Sequence, residues 1–140
     1  MKLTRRDTIA IGGAAALTSI LTTFSSAATP VNELINVVTG GADAASAGIF
    51  LTAPEIAENG NTVPISIDAP GAVAITVLAA GNPLPGVATF NFGDGSASQS
   101  ATTRIRLAGT QDVVAVAEMA DGSFASAHQT VKVTIGGCGG

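Results

Sequence analysis

The chain is 140 residues long, enough for one domain with a modest core and too little for two. With 46% hydrophobic residues, five Phe and neither Trp nor Tyr, that core must rely on Val, Ile, Leu and Ala, which favours close-packed strands over helices carrying large side chains. A formal net charge of −4 argues against a nucleic-acid binder, and one Cys with one His supplies neither an internal disulfide nor the usual zinc ligands, so no metal or other cofactor is expected.

Residues 1–28 read as an export signal of the twin-arginine type. Lys2, Arg5 and Arg6 make a basic start, Ile9 to Phe24 an apolar run, and the small residues around Ala27 and Ala28 a processing site. The run is shorter than the roughly 20 residues a spanning helix needs and is diluted by Gly, Thr and Ser, so stable membrane insertion is not expected. Thr8 and Ala10 depart from the usual twin-arginine pattern. Removal of this segment leaves Arg104, Arg106 and Lys132 against nine carboxylates, a formal balance of −6. On so acidic a surface, a small anionic substrate would need positive groups supplied locally or by a partner.

Residues 29–135 are expected to form a single β domain. It opens on a short helix: Val31, Leu34, Ile35 and Val38 recur at helical spacing, Pro30 suits a first turn, and Gly40 and Gly41 follow the end. Ala42 to Phe50 has no definite state, and Asn59, Gly60 and Asn61 signal a turn into an extended stretch. Strands then follow over Ala72–Ala80, Val87–Phe92, Ala101–Ala108, Asp112–Ala120 and Ser123–Ile135. Pro83 and Pro85 interrupt the series because neither can donate to a ladder. Asp121 and Gly122 predict a hairpin closed by a type I′ turn. Short strands at this spacing predict an all-β, antiparallel immunoglobulin-like sandwich with the helix at an edge or end, a small open barrel being the competing architecture.

Residues 136–140, Gly-Gly-Cys-Gly-Gly, predict a flexible arm. Glycine has the most backbone entropy to lose and no side chain to bury. Gly136 and Gly137 would carry Cys138 away from the sheet, and Gly139 and Gly140 would keep the backbone beyond it slim enough for a narrow channel. The Cys138 thiolate can hold a covalent sulfur adduct and exchange it. No basic residue lies near it in sequence, so activation would come from a partner. That suits a carrier better than a self-contained catalyst, and no catalytic residue is assigned.

The stretches Ala53–Pro64, Asn82–Gly93, Thr103–Ala108, Val113–Ser123 and Val131–Gly140, together with the leader, resemble the SoxY family of sulfur carriers in the thiosulfate-oxidising Sox system. The resemblance implies a periplasmic immunoglobulin-like sandwich paired with a SoxZ-like subunit, carrying thiosulfate-derived intermediates covalently on Cys138. It also implies work with a SoxAX-like cytochrome, a SoxB-like hydrolase and, where present, a sulfur dehydrogenase. Two other classes compete: a carrier working through a terminal Gly-Gly carboxylate, and a non-catalytic periplasmic binding or structural sandwich.

Other residues carry less. His128 lies on one strand face with Phe124, Ser126, Thr130 and Lys132, and its role as a base for Cys138 is not favoured. Arg104 and Arg106 share a face that would meet solvent, an acidic partner or a sulfonate. Asp94, Asp112 and Asp121 suit turn hydrogen bonds, and Glu55 and Glu58 stand in a stretch read only as a contact segment.

Overall fold

The computed structural model describes residues 30–136. A helix, α1 (Val31–Thr39), is followed by nine strands: β1 (Ala44–Ala45), β2 (Phe50–Thr52), β3 (Ile56–Ala57), β4 (Val63–Asp68), β5 (Ala72–Ala79), β6 (Gly86–Asn91), β7 (Ser100–Ile105), β8 (Gln111–Met119) and β9 (Phe124–Val133). The larger sheet runs β1-β9-β8-β5-β6, with β3 also pairing to β9, and the smaller runs β2-β4-β7.

This arrangement is a mixed half-barrel and overturns the expectation of an all-β, antiparallel immunoglobulin-like sandwich. Both β1 and β3 run parallel to β9, with Ala44 opposite Phe124 and Ala57 opposite Val133. The physical cause is the exposed edge of β9, a ten-residue strand whose outer N–H and C=O groups need partners. The chain leaving α1 supplies them twice, over the first residues of β9 and over its last. Two-residue strands carry no alternation, so nothing local in the sequence announces them.

Three layers result. Val63, Ile65 and Ile67 of β4 alternate inward from the small sheet and meet Ile75, Val77, Val113, Ala115, Ala117 and Val131 of the large one. On the opposite face of the large sheet, Leu78, Val114 and Val116 are covered by Val31, Leu34, Ile35 and Val38 of α1. The apolar stripe of the helix is therefore as expected, but α1 lies across a sheet face rather than at an edge or end. Burial on both faces explains why β8 reads as a continuous apolar run, Val-Val-Ala-Val-Ala, instead of an alternating one. A register shift between Ala72 and Ala74 turns Val73 outward although Ile75 and Val77, at alternate positions after it, are buried.

The β8–β9 hairpin forms, with a different turn. Gly122 N–H donates to the Met119 carbonyl at 3.0 Å and Met119 N–H to the Ser123 carbonyl at 2.8 Å. With Gly122 at φ 83°, this is a three-residue loop closed by a left-handed glycine, not the two-residue I′ turn.

Candidate functional site

Several long-range hydrogen bonds meet where β9 ends, five residues before Cys138. The strand stops at Val133 rather than Ile135, and the chain is then gripped from the side by residues 55–60. Lys132 N–H donates to the Glu55 carbonyl at 2.8 Å, Thr134 N–H to the Ala57 carbonyl at 3.1 Å, and Gly60 N–H to the Ile135 carbonyl at 2.8 Å. Thr134 Oγ1 donates to the Glu58 carbonyl at 3.1 Å. From the other side Val133 N–H donates to Thr110 Oγ1 at 3.0 Å. The segment read only as a contact stretch is thus a brace. Its work is done by the main chain of Glu55, Ala57, Glu58 and Gly60, not by the carboxylates.

The loop joining β7 to β8 completes this root. Leu107 is fully buried, and its N–H donates to the Gly60 carbonyl at 2.8 Å, so Gly60 ties the loop to Ile135. Asn82 and Gln111, only 4% and 8% exposed, hold the loop from beneath. Asn82 Nδ2 donates to the Arg106 carbonyl at 2.8 Å, while its Oδ1 accepts from Ala108 N–H and from Gln111 Nε2, both at 2.9 Å. Gln111 Nε2 also donates to the Gly109 carbonyl at 3.1 Å, and its Oε1 accepts from Gly81 N–H at 2.8 Å. Buried amides satisfied in this way make a rigid support.

Gly136 rests on that support. A Cβ built there would run into the Ala108 carbonyl oxygen, so the first glycine of the expected arm is a close-approach glycine. No free Gly-Gly-Cys-Gly-Gly arm is part of the described structure: Gly136 is exposed but lies against the Ala108 carbonyl, and Gly137, Cys138, Gly139 and Gly140 lie outside the described residues, as does the expected leader, residues 1–28.

The remaining candidates lie elsewhere. His128 pairs with Val114 and lines a groove beneath α1 with Asp112 and Ser126, about 16 Å along β9 from Val133. Arg104 and Arg106 do point the same way, outward, on either side of buried Ile105, and the Arg106 carbonyl joins the Asn82 network. Asp112 accepts from Thr130 Oγ1. Asp121 accepts from Ser123 Oγ at 2.6 Å and Ser123 N–H at 2.9 Å, and these bonds hold its carboxyl below its ordinary value of 3.8. Asp94 lies in the exposed turn 93–96. Among the described residues no three His, Cys, Asp or Glu side chains converge as metal ligands. Asn82, Gln111 and Ala108 escaped sequence reasoning, and Gly60 was read only as part of a turn. The available signal was Gln111, an amide at the head of the strand that carries the apolar run Val113–Ala117.

What this arrangement can do chemically is present a chain end from a fixed base. Residues 35–138, a stretch that ends on Cys138, match the family described as sulfur oxidation protein SoxY. The chain belongs to the SoxY family. The solved sulfur carrier protein SoxY from Chlorobium limicola f thiosulfatophilum is 33% identical, with a TM-score of 0.63 over 75% of this chain and 96% of that one. A superoxide reductase (neelaredoxin) from Ignicoccus hospitalis superposes with a TM-score of 0.54 at 16% identity, over 61% of this chain and 78% of that one. A putative superoxide reductase from Thermotoga maritima gives 0.51 at 17%, over 61% and 84%. Likeness at such identities is one of fold alone. No curated protein sequence matches. As a SoxY protein the chain is a sulfur carrier of sulfur metabolism, a substrate-bearing component rather than an enzyme.

Proposed function

We propose that Cys138 is the covalent attachment point for sulfur intermediates and that the chain presents it, in the periplasm, to a succession of partner enzymes. The observation that carries this reading is the extent of the family match, which runs on through the braced end of β9 to residue 138. Export would follow from residues 1–28, and the lack of any basic neighbour of Cys138 in sequence leaves its activation to a partner.

In the first step the Cys138 thiolate and thiosulfate join through a new S–S bond, giving Cys–S–S–SO3⁻, and the two electrons released pass to a SoxAX-like cytochrome. Water then cleaves the terminal S–S bond at a SoxB-like hydrolase, releasing sulfate and two protons and leaving Cys–S–S⁻. Where a sulfur dehydrogenase is present, that outer sulfur is oxidised with three waters to Cys–S–SO3⁻, giving six electrons and six protons, and a second hydrolysis returns the thiolate. Proteins of the SoxY family pair with SoxZ. A SoxZ-like subunit is accordingly proposed to form a 1:1 heterodimer with this chain, detectable by light scattering at micromolar concentration.

The decisive experiment is intact mass after incubation with thiosulfate and the oxidising cytochrome. The expected result is a thiosulfate-derived adduct that maps to Cys138. A thiocarboxylate on Gly140, or no adduct at all, would overturn the proposal.

A further inference from the structure

The two buried amides sit beneath the point from which the residues carrying Cys138 depart. A loop between two sheets could be anchored by Leu107 alone, which is wholly buried. Here three of its backbone groups, the Arg106 carbonyl, the Ala108 N–H and the Gly109 carbonyl, are additionally held by the side chains of Asn82 and Gln111. Gln111 in turn lies so close over Gly81 that a Cβ there would stand 2.9 Å from its own Cβ. The outer side of the loop offers the Ala108 carbonyl to Gly136, at a spacing that admits no side chain.

We propose that Asn82 and Gln111 are positioning residues for Cys138: through the 106–111 loop they clasp Gly136 and make it the pivot from which the thiol is delivered. This inference rests on Cys138 being the carrier site. Its consequence is a matter of reach. Counted from Gly136, Cys138 is two residues out, a span of at most about 7 Å; counted from Ile135, the last residue bonded to the brace, it is three residues out, about 10 Å. Confining the thiol to the smaller radius reduces the volume it explores by about threefold, and its effective concentration at the mouth of a docked enzyme rises by the same factor.

Two variants test this in the full chain with its partner subunit. Gln111→Met keeps the length of the side chain and removes its donors and acceptor; Gly136→Ala leaves the amides intact and forces the chain off the Ala108 carbonyl. Val116→Ala, beneath α1, serves as a control for lost stability. Nitroxides on Cys138 and on an added Ala97→Cys report the spread of distances between the thiol and the body of the fold. The distribution is expected to broaden in both clasp variants and not in the control. On unlabelled protein, cytochrome-dependent adduct formation is expected to lose about threefold in kcat with KM for the carrier unchanged, while Val116→Ala keeps the parent rate. Unchanged distance distributions in both variants would overturn the clasp. Broadened distributions with parent-like kcat would overturn its role in delivery, and so would an equal loss of kcat in Val116→Ala. The distance measurement needs no turnover, so it stands even if the Cys138 adduct is absent, an outcome that would sink the carrier assignment instead.

Discussion

The two ends of β9 are built on opposite plans. At its start, the hairpin is closed by residues within four positions of one another: Met119, Asp121, Gly122 and Ser123. At its end, Thr134 reaches a partner 76 positions away in sequence and Val133 one 23 away, and all but one of the supporting amide bonds span 24 to 30 positions. A local turn can form whenever its few residues adopt the right angles. The root exists only when the brace, the inter-sheet loop and the strand have all come together, so its loss of order should be cooperative with the fold. The proposed attachment point for sulfur follows the end that depends on the whole molecule.

The largest effect expected beyond the root is loss of function without loss of fold. Cys138→Ser should abolish thiosulfate-dependent cytochrome reduction and leave the melting temperature within the small range of an ordinary surface change. Calorimetry and turnover on one preparation check this, and substantial residual turnover would move the covalent chemistry elsewhere.

At the root itself, Asn82→Ala should cost about 2–4 kcal/mol, because it strands the Arg106 carbonyl, the Ala108 N–H and a Gln111 donor in a buried setting. Urea unfolding would measure it, and a loss below about 1 kcal/mol would mean that water replaces the amide and the root is less rigid than its bonds suggest. Thr134→Val removes one exposed bond to the Glu58 carbonyl and should cost about 0.5–1.5 kcal/mol, the ordinary net value of a hydrogen bond.

The smallest effect belongs to the hairpin. The folded pKa of Asp121 is held below 3.8 by Ser123, so its carboxylate adds stability above that value and loses it as pH falls through the lower folded pKa. Asp121→Asn should therefore shift stability less than either root variant. The difference from the parent should be constant near neutrality and shrink as the pH is taken below about 3.8. A pH-independent difference down to strong acid would show that Ser123 does not distinguish the charged form.

The same contrast separates what was legible in the sequence from what was not. Val31, Leu34, Ile35 and Val38 announced a helix, and the apolar runs of β5, β8 and β9 announced strands, because periodicity is written by neighbours. Asp121 and Gly122 announced a hairpin for the same reason, although the left-handed glycine chose a three-residue loop over a type I′ turn. The terminal cysteine between glycines, with the strand preceding it, carried the family. An antiparallel sandwich was expected from short strands at regular turn spacing; Ala44–Ala45 and Ile56–Ala57 are too short to show in the sequence that they pair parallel to β9.

What tertiary structure alone decided is where these pieces meet. The stripe on α1 states that one face is buried and not which sheet face it covers. Asn82 and Gln111 are ordinary polar residues at the ends of apolar segments until the fold brings them together beneath Ala108. Gly136 is the sharpest case: in sequence, a glycine that is free and a glycine that is crowded are the same residue, and only the Ala108 carbonyl beside it shows that the absent side chain serves close contact.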